Sequence, residues 1–198
     1  MTTIEFFYDV GSAYSYLAAT QIDALAARSG VAVRWRPFLL GGVFKATGND
    51  MPARVPNKAR WMLADTQRWA QGYGVDFVMP SRFPVITIAT MRALVSADLR
   101  FGEAAQKALA HALFRGFWVE DRDVADEAVI AELAGKAGLD AAAIVAGISA
   151  QDTKDALRAA TDEAVQRGAF GAPAMFVGQD LYWGNDRLGQ LEDALRGR

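Results

Sequence analysis

The chain has 198 residues, 52% apolar and 22% charged with only 6 prolines, a composition that fills a globular core and leaves little room for disorder. Lys and Arg number 21 against 23 Asp and Glu, so the net charge is −2, no basic excess exists to neutralise a phosphate backbone, and nucleic acid is not expected as a partner. With no cysteine and one histidine, His111, disulfides, thiolate metal sites and multi-histidine metal sites are excluded, and no metal is expected.

Ile4 to Val10 is an aromatic-rich run closed by Gly11, which reads as a buried strand. It carries Glu5 and no basic leader, unlike a secretion signal, so the expected setting is cytoplasmic. The longest uncharged run, Val10 to Ile22, has 13 residues, short of the roughly 20 that a membrane span needs, and no membrane association is expected. Leu17, Ala18, Ile22, Leu25 and Ala26 recur at helical spacing, with Ser12 in the capping place and Gly30 as the stop. Val31 to Phe38 alternates with period two, completing a β-α-β opening with a parallel strand pair.

From about Asn57 to Gly168 the periods are helical throughout. Asn57 to Tyr73 is one helix; Ile88, Met91, Val95 and Leu99 mark a second, and Leu109, Leu113 and Phe117 a third. Asp123 is placed as the cap of a fourth running to Gly138, Asp140 begins a short fifth, and a sixth runs from about Thr153 to Gly168. Strands return at Ala174 to Val177 and Leu181 to Trp183, a hairpin around Gly178-Gln179-Asp180. Asn185 or Asp186 then caps a last helix with Leu188, Leu191, Ala194 and Leu195 on one face. The order predicts an α/β, thioredoxin-like fold (β-α-β, then β-β-α) interrupted by an all-helical insertion, with 1–56 and 169–198 forming the first part and 57–168 the second.

The strand-to-helix junction Asp9-Val10-Gly11-Ser12-Ala13-Tyr14-Ser15 is the first candidate site, because unpaired amides at a helix start favour an anion in front of them. Ser12 caps that helix on any reading. It lacks a base, since His111 in AAQKALAHALF reads as an ordinary helix residue, so it can donate a hydrogen bond but is not an acyl-transfer nucleophile. Trp61, Trp69, Trp118 and Trp183 have no basic stripe beside them and read as core or pocket walls. Lys45, Arg82 and Arg36 could meet a substrate carboxylate, but surface exposure is the expectation for each.

The segments FFYDVGSAYSYLA, LLGGVFKATGN, FGAPAMFVG and WGNDR, spread in order over almost the entire chain, resemble the kappa-class glutathione transferases and the glutathione-dependent 2-hydroxychromene-2-carboxylate isomerases, within the DsbA-like branch of the thioredoxin superfamily. The resemblance implies glutathione as cofactor, a small aromatic carboxylate as substrate and a possible homodimer. It implies that Ser12 holds the glutathione sulfur where disulfide oxidoreductases of this fold keep a cysteine. Asn49 and Lys58 match residues of the glutathione pocket, and Ala172-Pro173 the cis-proline loop that pairs with the cysteinyl unit. Asn185 and Asp186 match the pair that grips the γ-glutamyl end. The chain departs from the family's Leu-Ser-Pro at Gly11-Ser12-Ala13, where the first helical position loses the fixed φ of proline. WGNDR and the compact LLGGVFKATGN favour the isomerase branch. The alternatives are a kappa-like transferase or peroxidase and a non-catalytic glutathione-binding protein.

Overall fold

Four strands, β1 (Thr3–Tyr8), β2 (Ala32–Pro37), β3 (Ala174–Val177) and β4 (Asp180–Trp183), form one mixed sheet in the order β2-β1-β3-β4 in the computed structural model, which describes residues 2–197. β1 and β2 are parallel with Phe6 beside Trp35, whereas β3 runs antiparallel to both β1 and β4. Alternation along β1 sorts its side chains between two cores. Ile4, Phe6 and Tyr8 enter the larger one, and Phe7 joins Phe38, Val43, Ala164, Ala174 and Phe176 in a smaller one on the other face.

The helices are α1 (Ala13–Ala19), α2 (Ile22–Ser29), α3 (Leu40–Thr47), α4 (Pro56–Tyr73), α5 (Ile88–Phe101), α6 (Glu103–Trp118), α7 (Glu127–Lys136), α8 (Ala141–Ile148), α9 (Gln151–Gln166) and α10 (Leu188–Arg196). The single helix expected after Ser12 is two, because at Thr20 the hydroxyl donates to the Leu17 carbonyl at 2.7 Å and the chain restarts at Gln21. α3 is an addition: Gly41 and Gly42 suppress its helical signal, yet a Cβ at Gly42 would lie only 3.1 Å from Thr161 on α9, so the small residue permits a close helix approach. Asp126, not Asp123, caps α7, accepting from the Ala128 amide at 2.8 Å. Asp140 caps α8 as expected, by a bond from the Ala143 amide at 3.0 Å. Neither Asn185 nor Asp186 caps the last helix: a short 3-10 turn, Asn185–Arg187, leads into α10, whose start has no side-chain cap.

The division into 1–56 with 169–198 and 57–168 describes chain order, and its outer limits, Met1 and Arg198, lie outside the described residues. The larger core runs through both parts, since Met91, Leu94, Leu109 and Leu113 of α5 and α6 pack with Ile4, Phe6 and Leu17. α5 also approaches α8 closely at Gly147, where a Cβ would run into Ser96 Oγ and the Arg100 guanidinium. Gly147→Ala is therefore expected to destabilise the protein by about 1–3 kcal/mol, read as a lower urea midpoint with an unchanged slope.

Arg36 corrects an expectation of exposure. Its side chain is only 15% exposed, lies 4.7 Å over the Phe7 ring, and pairs with Glu5 at 2.8 Å and with Glu163. Arg167 completes the ring of charges with the same two carboxylates, at 2.8 and 3.1 Å. The network ties β1, β2 and α9 and occupies Arg36 fully, which removes it from any substrate role. Lys45 is exposed, and Arg82 is an exposed residue paired with Asp123. Among the described residues no helix is long and apolar enough to cross a membrane.

Candidate active site

β1 ends at Tyr8, and the next four residues turn the chain from the sheet edge into α1. Asp9 anchors that turn with its backbone carbonyl, which accepts from the Ser12 amide at 3.0 Å. Ser12 is extended (φ −98°, ψ 117°), 9% exposed, and caps α1 by accepting from the Ser15 amide at 3.1 Å. Its hydroxyl donates across the sheet edge to the carbonyl of Ala172 at 3.2 Å. The Ala172–Pro173 bond is cis, as the resemblance implies, and the Ser12 hydrogen bond sets the start of α1 against this loop. Phe83–Pro84 is a second cis bond, which sequence reading did not anticipate.

The other expected site residues gather around this pair to different degrees. Asn49, exposed just beyond α3, donates to the Phe170 carbonyl at 2.8 Å and so braces the segment leading into Ala172. Asp186 is half exposed, pairs with Arg187 at 3.1 Å, and lies near enough to Tyr14 and Tyr73 for its charge to raise both phenols. Asn185 is only 2% exposed; its amide meets the Tyr73 hydroxyl at 3.3 Å, and that hydroxyl donates to the Asn185 carbonyl at 3.2 Å. Its side chain is thus occupied in holding the turn, which leaves Asp186 as the accessible member of the pair. Lys58 is exposed in the first turn of α4, and among the described residues no hydrogen bond or ion pair links it to the rest.

Several contributors were not picked out from sequence. Tyr14, two residues after Ser12, donates to Asp65 on α4 at 3.0 Å, and burial first, then that acceptor and its charge, push its phenol well above the usual range. Tyr14 to Asp65 and Tyr73 to Asn185 are polar links that fasten α4 over the site. The only available signal was helical spacing, which placed Asp65 and Tyr73 on one helix without saying what they faced.

Asp9 opens the strand-to-helix junction, directly after β1. Its two oxygens accept from the Gly11 and Leu40 amides, each at 2.9 Å, and from the Thr87 hydroxyl at 3.1 Å. Burial pushes its pKa above the usual carboxylate value while these three donors oppose the rise.

The four tryptophans divide. Trp118 is wholly buried, whereas Trp61 is 59% and Trp183 46% exposed, Trp183 lying against Phe170 at 4.7 Å between ring centres. His111 is a half-exposed α6 residue resting on Trp35 and 3.7 Å from Asp23. It borders a cleft of about 380 Å³ with Tyr16, Thr20, Asp76 and Arg115, a lining that includes neither Ser12 nor Ala172.

The chain matches the DSBA-like thioredoxin domain over residues 3–196. It is 34% identical over 195 residues to a 2-hydroxychromene-2-carboxylate isomerase of Sphingobium xenophagum, covering 98% of this chain and 97% of that relative. Glutathione S-transferase kappa 1 of Rattus norvegicus is 30% identical, with 93% and 87% covered. A solved 2-hydroxychromene-2-carboxylate isomerase superposes with a TM-score of 0.87 at 30% identity, over 98% of this chain and 95% of that one.

Proposed function

The chain belongs to the DSBA-like thioredoxin domain family, and on that premise we propose that it is a glutathione-dependent isomerase acting on 2-hydroxychromene-2-carboxylate or a close aromatic analogue. The observation that carries the reading is Ser12 Oγ set 3.2 Å from the carbonyl of the cis Ala172–Pro173 loop, a hydroxyl where a disulfide oxidoreductase of this fold needs a sulfur. The chain has no cysteine to supply one.

The donor set suits an extended peptide bearing a thiol, two carboxylates and an ammonium. Lys58 offers a charge-assisted bond to a carboxylate, Asp186 accepts from an ammonium, and the Ala172 backbone lies beside the hydroxyl that would meet the sulfur. Asn49 and Asn185 act mainly as braces, one on the proline loop and the other on the turn that presents Asp186. Glutathione, held by Ser12, Lys58, Asp186 and the Ala172 backbone, would supply a thiolate nucleophile for reversible addition to the substrate's double bond, the single-bonded adduct being free to rotate. The protein's part is to ionise and aim that sulfur.

A free thiol has a pKa near 8.5, and lowering it by two units takes about 2.7 kcal/mol of selective anion stabilisation. A hydrogen bond to a charged group contributes about 1.5–3 kcal/mol. α1 has only 7 residues, so its dipole adds toward the low end of about 0.3–1 kcal/mol. The Ser12 hydroxyl therefore carries most of the effect. It must turn its proton from the Ala172 carbonyl to the sulfur, a rotation about one bond.

Calorimetry with glutathione tests the binding half of this reading. Wild type is expected to bind at or below millimolar concentration. Asp186→Ala should weaken binding by about 1.5 kcal/mol, roughly tenfold, since its half-exposed carboxylate is shared with Arg187. Lys58→Ala should cost a similar amount. No heat at millimolar glutathione would refute the reading. The 30% identity to a kappa-class transferase favours conjugation as the second reading. It is separated by assaying release of halide from an aryl halide against isomerisation of the chromene.

A further inference from the structure

Asp9 is the one charged side chain among the described residues that is buried, at 2% exposure. It also stands three residues before Ser12. Its partners come from three separate segments: Gly11 in the turn itself, Leu40 at the start of α3, and Thr87 at the start of α5. The amides of Gly11 and Leu40 can only donate, so both carboxylate oxygens are required as acceptors, one on each. No cation appears among these partners.

The titratable group beside Asp9 on β1 is the Tyr8 phenol, which burial, Asp98 of α5 and Asp9 itself all hold in the neutral form. Beyond the turn, Tyr14 on α1 is bonded to Asp65 at 3.0 Å and lies within reach of the charge of Asp186. The negative charge of Asp9 is thus fixed behind the turn that presents Ser12, screened neither by solvent nor by a counter-ion.

We infer that Asp9 is a positioning residue that sets the acidity of the thiol held at Ser12. It fixes the turn that delivers the serine, and its charge opposes that of a sulfur anion in front of the turn, so the bound thiol ionises near neutral pH rather than far below it. The inference rests on the glutathione reading above. A sulfur that must both add and leave gains from such a brake. Nucleophilicity of a thiolate falls as its pKa falls, and the best attacking thiol has a pKa close to ambient pH.

At a separation of about 10 Å and an effective dielectric constant of about 20, one fixed charge moves a neighbouring titration by about one pH unit. In Asp9→Asn, thiolate absorbance near 240 nm at saturating glutathione should therefore titrate about one pH unit lower than in wild type. A purely structural role gives the opposite sign, because a loosened turn stabilises the anion less.

Asn leaves one amide donor facing another donor and can impair folding, so the wild type supplies a second test. Carbon NMR of labelled aspartate should place the Asp9 titration higher with glutathione sulfonate, whose sulfur group is anionic at every pH used, than with S-methylglutathione, whose sulfur is neutral. By reciprocity the two shifts should be similar in size. Coincident thiol titrations or an upward shift in Asp9→Asn, or identical Asp9 titrations with the two peptides, would overturn this inference and leave the glutathione reading standing. Failure of wild type to bind glutathione would overturn both.

Discussion

Ser12→Ala is expected to slow isomerisation by about ten- to a hundredfold while weakening glutathione binding at pH 7 by only a few-fold. The hydroxyl is proposed to bond a sulfur anion more strongly than a neutral thiol, and a charge-assisted bond of about 1.5–3 kcal/mol corresponds to a rate factor in that range. Binding survives because Lys58, Asp186 and the Ala172 backbone are untouched.

The same change removes the acceptor for the Ser15 amide, costing about 0.5–2 kcal/mol of stability, so the urea midpoint must be measured beside the rate. The distinguishing readout is the pH at which bound thiol ionises. It should rise in the variant, moving the alkaline shift into the rate profile as well. Coincident titrations with unchanged turnover would reduce Ser12 to a helix cap.

Trp118→Ala should have the largest effect on stability, a loss of about 3–5 kcal/mol. The indole is wholly buried at the end of α6, stacked on Phe77 at 5.6 Å and packed on Phe83 and Phe117. Its Nε1 also donates to the Val10 carbonyl at 2.8 Å, inside the turn that carries Ser12. For a chain of this length the loss corresponds to a fall in Tm of about 6–20 °C. Trp118→Phe keeps most of the volume and loses only the donor. It should be milder in stability and still reduce activity, because an unpaired Val10 carbonyl frees the turn to move. A loss below about 1 kcal/mol in Trp118→Ala would show that the aromatic cluster does not hold this junction.

These two side chains mark the boundary between what sequence reading reaches and what it does not. Ser12 is legible because capping and the strand-to-helix transition are local, and because the segments around it resemble a known family. β1, the hairpin around Gly178 and the helices on long apolar periods are legible for the same local reason. Where local signals conflict, reading fails: two glycines hide α3, and Thr20 breaks a helix whose apolar spacing continues across the break.

Burial of charge is the harder problem. Arg36 looks like a surface residue in VAVRWRPF, and it is the arrival of Glu5 and Glu163, 31 and 127 positions away, that makes a nearly buried guanidinium stable. Asp9 is similar, with Leu40 31 and Thr87 78 positions away. Asn185 shows the converse. Its place in the family pattern was legible, but the Tyr73 hydroxyl that its side-chain amide meets comes from 112 positions away.

The most direct test of the account is the rate at which the purified chain converts 2-hydroxychromene-2-carboxylate to trans-o-hydroxybenzylidenepyruvate, followed by absorbance with glutathione and without it. The account predicts conversion that saturates with glutathione, returns the tripeptide unconsumed, and falls to the uncatalysed rate when glutathione is omitted or replaced by S-methylglutathione. Equal rates with and without the thiol, or no conversion at millimolar glutathione, would contradict it.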